Sequence, residues 1–210
     1  RTVLGMLEEA AKSYGNVGYT YEKSDEGWIK KTFSEVEIDS AYIGSYLISS
    51  GINKEDKIAI LSEGRIGWVS GEYAILKAGA ISVPLSIKLM PDEVLFRLNH
   101  SGAKGIILSH NTFEKIAPIW ERIEQKDFKI YYLDDDIEKI REDAFEFKID
   151  IEKDAVSYKN MLEEGRSIFD KNPSLVKTSI ENIKENDVVT ISYTSGTTGE
   201  PKGVVLTHRN

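Results

Sequence analysis

The chain has 210 residues, of which 40% are hydrophobic and 30% charged, and its formal net charge is −8. That composition is typical of a globular protein, and the acidic excess argues against a nucleic-acid-binding protein, which normally carries a basic surface. The sequence contains no cysteine, which excludes disulfide scaffolds, thiol catalysis and thiolate metal sites.

No segment of the sequence predicts a membrane span or a signal peptide. The longest apolar stretch, residues 73–89, is interrupted by Lys77, Gly79 and Pro84 and falls short of the roughly 18 uninterrupted apolar residues that cross a bilayer. The first residues lead directly into an amphipathic segment with acidic side chains, unlike a signal peptide. We therefore expect a cytoplasmic protein.

The N-terminal part predicts a helix, a β-hairpin and a second helix. Apolar residues recur at helical spacing over residues 2–14. Alternating residues 17–22 and a turn then lead into a short strand, which is typical of a hairpin. Ser34 and Glu37 form a capping-box pattern that predicts the start of the second helix, and Gly51 is well suited to end it.

Beyond residue 51, short apolar strands alternate with helical patterns. The strands are predicted at residues 58–61, 80–84, 105–108 and 128–133, and the helices at 68–79, 91–100, 112–124 and 157–165. Such alternation predicts an α/β fold with a mostly parallel, helix-covered sheet. The acidic stretch 134–154 is interpreted as a solvated loop, because its adjacent aspartates cannot readily converge on one metal ion.

Two units are expected. Residues 52–210 form the α/β subdomain, and residues 1–51 form part of a second, truncated subdomain whose apolar faces should be poorly covered. A homodimer that buries those faces is the alternative. The chain begins without Met and ends in a pattern that resembles the capped start of a helix. We therefore expect it to be a piece of a longer protein.

Residues 194–202 carry the strongest chemical signal. Strand patterns over 187–193 and 203–206 flank a loop with four hydroxyl side chains, two glycines and one lysine. Glycines let backbone N–H groups turn toward an anion, and the hydroxyls and the lysine add donors and positive charge, so the set suits a polyphosphate. The connection is too short for a parallel crossover, which predicts antiparallel neighbours. The alternative is a Ser/Thr/Gly-rich surface turn.

Better-known nucleotide-binding, hydrolase and metal-binding motifs do not fit the sequence. A Walker A loop needs glycine and a hydroxyl residue where this chain has Pro201 and Gly203. Neither a Gly-x-Gly-x-x-Gly nor a Gly-x-Ser-x-Gly sequence occurs. His100 and His110 lack the spacing of metal ligands, so we interpret them as structural or exposed and assign no metal-binding residue.

In their order, residues 191–202 resemble the phosphate-loop signature of the adenylate-forming (AMP-binding) superfamily: acyl- and aryl-CoA synthetases, luciferases and peptide-synthetase adenylation domains. Residues 76–85 resemble the helix-to-strand segment of that family. Residues 62–68 resemble its Asn-Arg-Pro-Glu-Trp-like run more loosely, since this chain has Ile-Gly in place of Pro-Glu. The tail, residues 193–210, is most similar to long-chain fatty acyl-CoA synthetases.

The resemblance implies that the full-length protein joins a carboxylate, here a long-chain fatty acid, to AMP from Mg-ATP, and then transfers the acyl group to coenzyme A. ATP, Mg²⁺ and coenzyme A are the implied cofactors and co-substrates. The resemblance assigns phosphate binding to Thr194, Ser195, Gly196, Thr197, Thr198, Gly199 and Lys202. Lys202 is also the expected catalytic residue, because its charge would stabilise the leaving pyrophosphate.

Several alternatives stay open from the sequence. The protein could use an aryl acid or an acyl carrier protein, or serve as a non-catalytic nucleotide-binding or interaction module. Fatty acids arrive from bilayers, so peripheral contact with the inner membrane face is a further hypothesis. We expect the 210-residue piece to be inactive alone, because the remaining catalytic groups would lie beyond residue 210. The loop 194–202 should be mobile without nucleotide.

Overall fold

The computed structural model describes residues 2–24, 27–195 and 201–210. The strands are β1 (Gly18–Ser24), β2 (Gly27–Thr32), β3 (Lys57–Leu61), β4 (Ile81–Pro84), β5 (Gly105–Leu108), β6 (Lys129–Tyr132), β7 (Ala155–Ser157), β8 (Val188–Thr194) and β9 (Lys202–Thr207). The α-helices are α1 (Val3–Tyr14), α2 (Phe33–Ser49), α3 (Ile66–Lys77), α4 (Pro91–Ser101), α5 (His110–Phe113), α6 (Arg141–Glu146), α7 (Ile151–Asp154), α8 (Tyr158–Lys171) and α9 (Ser174–Glu181). Two 3-10 helices lie at Ala117–Arg122 and Ile137–Ile140.

One seven-stranded sheet has the order β7-β6-β5-β3-β4-β8-β9, and β1 and β2 form a separate antiparallel pair. In the large sheet, neighbouring strands from β7 to β8 are parallel, whereas β8 and β9 are antiparallel. The predicted α/β fold, with a mostly parallel sheet and an antiparallel pair around the loop, is therefore confirmed.

The sheet is covered on both faces because its inner strands are apolar throughout. In β3, Ala59 and Leu61 join one core cluster, whereas Ile58 and Ile60 join the other. Successive strand residues point to opposite faces, so a continuous apolar run requires a cover on each side. Helices α2, α3 and α8 cover one face, and α4, α5 and the 3-10 helix Ala117–Arg122 cover the other.

Helix α2 begins earlier than the sequence predicted. Its capping box uses Thr32 and Glu35: Glu35 N donates to Thr32 Oγ1 over 3.2 Å, and Thr32 N donates to Glu35 Oε2 over 2.8 Å. The predicted pair of Ser34 and Glu37 is wrong, because Glu37 accepts instead from the buried Lys77 Nζ at 2.6 Å. Two overlapping copies of the motif occur, and the tertiary ion pair selects the first.

The N-terminal segment is covered unevenly. Ile43 and Leu47 of α2 are buried in the core of the large sheet, so the expectation of a poorly covered apolar face is wrong for this helix. In the hairpin, by contrast, Tyr21, Trp28 and Ile29 are exposed. The division of the chain into residues 1–51 and 52–210 stays a prediction.

Three further segments differ from the sequence prediction. The helix expected at 112–124 is split into α5 and a 3-10 helix, since Pro118 has no N–H for a continuous helical ladder. The acidic stretch 134–154 contains short helices and buries Ile140 and Ala144. Helix α9 was not predicted, and its Val176 is buried.

Candidate functional site

The predicted phosphate loop joins β8 to β9. Thr194 and Lys202, its first and last residues, lie opposite each other in the antiparallel ladder. The loop therefore follows the carboxyl end of β8, at the edge of the parallel sheet outside which open α/β sheets bind ligands. Residues 196–200, which include the predicted site residues Gly196, Thr197, Thr198 and Gly199, lie outside the described residues, and so does the prediction of loop mobility.

The described ends of the loop are open to solvent. Thr194, Ser195 and Lys202 are all exposed. The hairpin thus places two hydroxyl groups on one arm and an ammonium group on the other, without a protein cover over either. Hydroxyl donors and a cation at the mouth of one loop can bind an anion between them.

The arm on β8 is anchored to the core. Ile191 and Tyr193 pack against the core cluster on the α4 side of the sheet, and Val189 is buried against Leu4 and Leu76 on the other side. Burial raises the pKa of the Tyr193 phenol above its usual range, although Ser101 and Arg97 oppose the shift. The phenol is therefore protonated at neutral pH and available as a hydrogen-bond donor.

Helix α4 supplies the contacts around Tyr193. His100 Nδ1 and Tyr193 Oη are 2.8 Å apart, and their rings meet edge to face with centroids separated by 5.7 Å. The Arg97 guanidinium carbon lies 5.7 Å from the centre of the tyrosine ring, and Phe96 stacks on His100. His100 is exposed and also structurally engaged, a contact that the sequence did not reveal.

Gly203 makes room for this arrangement. A Cβ at that position would lie 2.9 Å from Ile191 Cγ2 and 3.5 Å from the Tyr193 ring. A glycine directly after Lys202 therefore lets these two side chains lie across the hairpin. The sequence alone did not indicate this packing role of Gly203.

A second polar cluster lies where the strand order reverses, at the carboxyl ends of β3 and β5. Glu63 accepts hydrogen bonds from Ser109 Oγ at 2.6 Å and from Asn111 Nδ2 at 3.2 Å. Arg65 bridges Glu22 of the hairpin and Asp134 beyond β6. These charged groups satisfy one another, so the segment around Arg65 fixes the small hairpin to the sheet.

Within residues 2–24, 27–195 and 201–210, no group of three or more His, Cys, Asp or Glu side chains is placed to hold a metal ion. In the same residues, no helix combines the length and the apolar character needed to cross a membrane.

Comparisons with known proteins point in one direction. Residues 7–210 match the family described as AMP-binding enzyme. A peroxisomal long chain acyl-CoA synthetase of Arabidopsis thaliana is 32% identical over 206 residues, which are 97% of this chain and 26% of that protein.

Solved structures show the same fold. A fatty acyl CoA synthetase of Mycobacterium tuberculosis superposes with a TM-score of 0.71 at 22% identity, over 99% of this chain and 34% of that one. An anthranilate CoA ligase in complex with anthranoyl-AMP gives 0.74 at 19% identity, over 100% and 35%. The chain thus spans about a quarter to a third of the length of these relatives.

Proposed function

The chain belongs to the AMP-binding enzyme family, and on that premise we propose that the full-length protein is an AMP-forming fatty acid–CoA ligase. It activates a long-chain fatty acid with Mg-ATP to an acyl-adenylate and then transfers the acyl group to coenzyme A. The choice of a fatty acid is supported by the 32% identity to a long chain acyl-CoA synthetase. The similarity to an anthranilate CoA ligase is a similarity of fold.

The hairpin β8–β9 carries the proposal. It places Thr194 and Ser195 on one side of the loop and Lys202 on the other, all exposed. The donor set fits the phosphates of ATP, since hydroxyl groups donate to phosphate oxygens and an ammonium group balances their charge. It does not include a carboxylate, so Thr194, Ser195 and Lys202 do not themselves supply the ligands that Mg²⁺ prefers.

Acyl-adenylate formation should depend on Thr194, Ser195 and Lys202 more than the transfer to coenzyme A does. ATP supplies the adenylyl group, and negative charge develops on the departing pyrophosphate during acyl-adenylate formation. We propose that Lys202 and the hydroxyls of Thr194 and Ser195 stabilise that charge electrostatically. Gly196, Thr197, Thr198 and Gly199 are proposed to add backbone and hydroxyl donors, as the resemblance implies. Transfer to coenzyme A follows after pyrophosphate has left.

The test separates the two steps. In the full-length protein, we expect Lys202→Ala to slow acyl-adenylate formation, measured as ATP–pyrophosphate exchange, by about 10²–10³-fold. Transfer from supplied acyl-adenylate to coenzyme A should fall much less. Lys177→Ala is the matched control, because this lysine is 75% exposed on α9 and pairs only with Glu181 among the described contacts.

Equal losses in both steps would contradict a phosphate role for Lys202 and indicate a structural one. Exchange with aryl acids but not with fatty acids would contradict the proposed substrate. The same exchange assay tests the hypothesis that the 210-residue chain is inactive alone. A homodimer, and a cytoplasmic location with peripheral contact to the inner membrane face, remain hypotheses from the sequence.

A further inference from the structure

Tyr193, the last residue before the loop, contacts helix α4, which covers one face of the sheet. Tyr193 precedes Thr194 directly, and its phenol lies 2.8 Å from His100 Nδ1 at the C-terminal end of α4. The Arg97 guanidinium faces the same ring at 5.7 Å. Arg97 is itself buried and donates to the Glu93 carbonyl over 2.7 Å, so it cannot swing away freely.

The strand that leads into the loop has little other support on the β4 side. Within the described residues, β8 pairs with β4 at a single position, Ser82 with Thr190. Leu85 N donates to Ile60 O of β3, and backbone groups alternate between the two sides of a strand, so the N–H of residue 84 would face β8. Pro84 has no N–H to donate.

Besides the packing of Ile191 on the core, the last part of β8 relies on two contacts. From residue 191 to 194 the strand is paired with β9, which is exposed over Val204, Val205 and Leu206. The other contact is the one between Tyr193 and α4. Because α4 packs on the buried core through Val94, Leu95 and Leu98, it is the better-fixed of the two.

We infer that His100 is a positioning residue for the phosphate loop, acting through the phenol of Tyr193. The hydrogen bond ties the end of β8 to α4 and sets the direction in which Thr194 and Ser195 enter the loop. The inference rests on the proposed function, since it assigns His100 to the phosphate side of that site. A displacement of about 1 Å at a group that aligns reactants can cost about 10²-fold in rate, so losing one such tie should have a measurable, smaller effect.

The experiment uses the full-length protein and two variants, His100→Ala and Tyr193→Phe. We expect each to lower kcat/KM for ATP in acyl-adenylate formation by about tenfold, with the KM for the fatty acid unchanged. Transfer from supplied acyl-adenylate to coenzyme A should also be unchanged. The double variant should be no slower than either single variant, because both remove the same hydrogen bond.

Two further variants separate positioning from packing. His100→Asn keeps a polar atom near the place of Nδ1 and should recover most of the lost rate, which a purely steric role of the ring would not allow. His110→Ala removes an exposed histidine from α5 and should leave the kinetics unchanged. Thermal midpoints measured on all variants show whether the fold is intact, and Tyr193→Phe keeps the test valid if His100→Ala misfolds.

Lys202→Ala, measured in parallel, tells a failure of this inference from a failure of the proposed function. If Lys202→Ala slows acyl-adenylate formation while His100→Ala and Tyr193→Phe retain wild-type kinetics, the positioning role of His100 is overturned alone. Equal losses in both steps by the two variants, with no recovery in His100→Asn, would overturn it as well. If Lys202→Ala has no effect either, the phosphate role of the loop fails, and this inference fails with it.

Discussion

The inner strands and the β8–β9 hairpin belong to one sheet but lie in opposite surroundings. Every residue of β5 is buried. In β9, by contrast, Val204, Val205 and Leu206 expose 43%, 55% and 37% of their surface. Strand β8 lies between these extremes, with Val189 buried and Tyr193 partly buried.

This difference shows how the fold divides its tasks. The inner strands are covered by helices on both faces, so their position is set by many apolar contacts, none of which is decisive. The arms of the loop depend on a small number of individual contacts at the edge. Removing one side chain should therefore disturb the candidate site at the sheet edge more than it disturbs the inner strands. Positions where two helices pack most closely are the exception.

The largest loss of stability is expected for Gly165→Ala, in the region that helices cover. A Cβ at this position of α8 would lie 2.1 Å from the Tyr42 carbonyl oxygen of α2. Backbone atoms cannot rotate away, so the two helices must separate. We expect the free energy of unfolding to fall by about 3 kcal/mol, measured by urea unfolding with tryptophan fluorescence.

The control for that substitution is Gly64→Ala, since no heavy atom lies within 4 Å of the position of its Cβ. It should change the free energy of unfolding by no more than about 0.5 kcal/mol. Similar losses in the two variants would contradict the close approach of α8 to α2.

A matched pair of valines compares the two arms of the loop directly. Val189 of β8 is 8% exposed and contacts Leu4 and Leu76, whereas Val205 of β9 is 55% exposed. Val189→Ala should lower the free energy of unfolding by about 2 kcal/mol, because it leaves a cavity. Val205→Ala should stay within about 0.5 kcal/mol. Equal effects in urea unfolding would remove the distinction between the arms.

The smallest effect on the free energy of unfolding is expected where the inner strand β4 meets β8. Glu72 of α3 accepts a hydrogen bond from Ser82, the β4 residue that pairs with β8. Burial raises the pKa of Glu72 to about 6, against an ordinary value of 4.5, although the Ser82 hydrogen bond opposes the shift. The folded state therefore binds more protons than the unfolded state between these values, and stability should fall as the pH rises through that window.

Glu72→Gln should abolish this decline. We expect a loss on the order of 1 kcal/mol from pH 4.5 to 7 in the wild type, because a pKa shift of one unit is worth about 1.4 kcal/mol, and a flatter profile in the variant. Urea unfolding at a series of pH values measures the difference, with Glu181→Gln on the exposed face of α9 as the control. An unchanged slope in Glu72→Gln would assign the pH dependence to other groups.

The sequence predicted the sheet well because its signals are local. Apolar runs such as Ile58–Leu61 define strands without knowledge of their partners, and the short connection between β8 and β9 determines their direction. Where two local signals compete, tertiary contacts decide: Lys77 engages Glu37, so the capping box forms at Thr32 and Glu35.

The order of residues in the loop was sufficient to propose Thr194, Ser195 and Lys202 as phosphate-binding residues, and that assignment stays a prediction. The contact between His100 and Tyr193 was not predictable, because the two residues are 93 positions apart and meet only when β8 lies beside β4. The helix split at Pro118 and the buried side of the acidic stretch likewise depend on the surface onto which those segments pack.

The place of β8 in the sheet also bears on the order in which the chain folds. Neighbours such as β3 and β4, or β5 and β6, are joined by short crossovers, but β4 meets β8 through Ser82 and Thr190. Contacts between residues so distant in sequence form late, because a long loop must first be closed. During synthesis, the segment from β4 to α9 is complete before β8 emerges, and the outer edge of β4 is left open to pairing with other chains in the interval. The β8–β9 hairpin thus joins the sheet later than the strands beside which it lies.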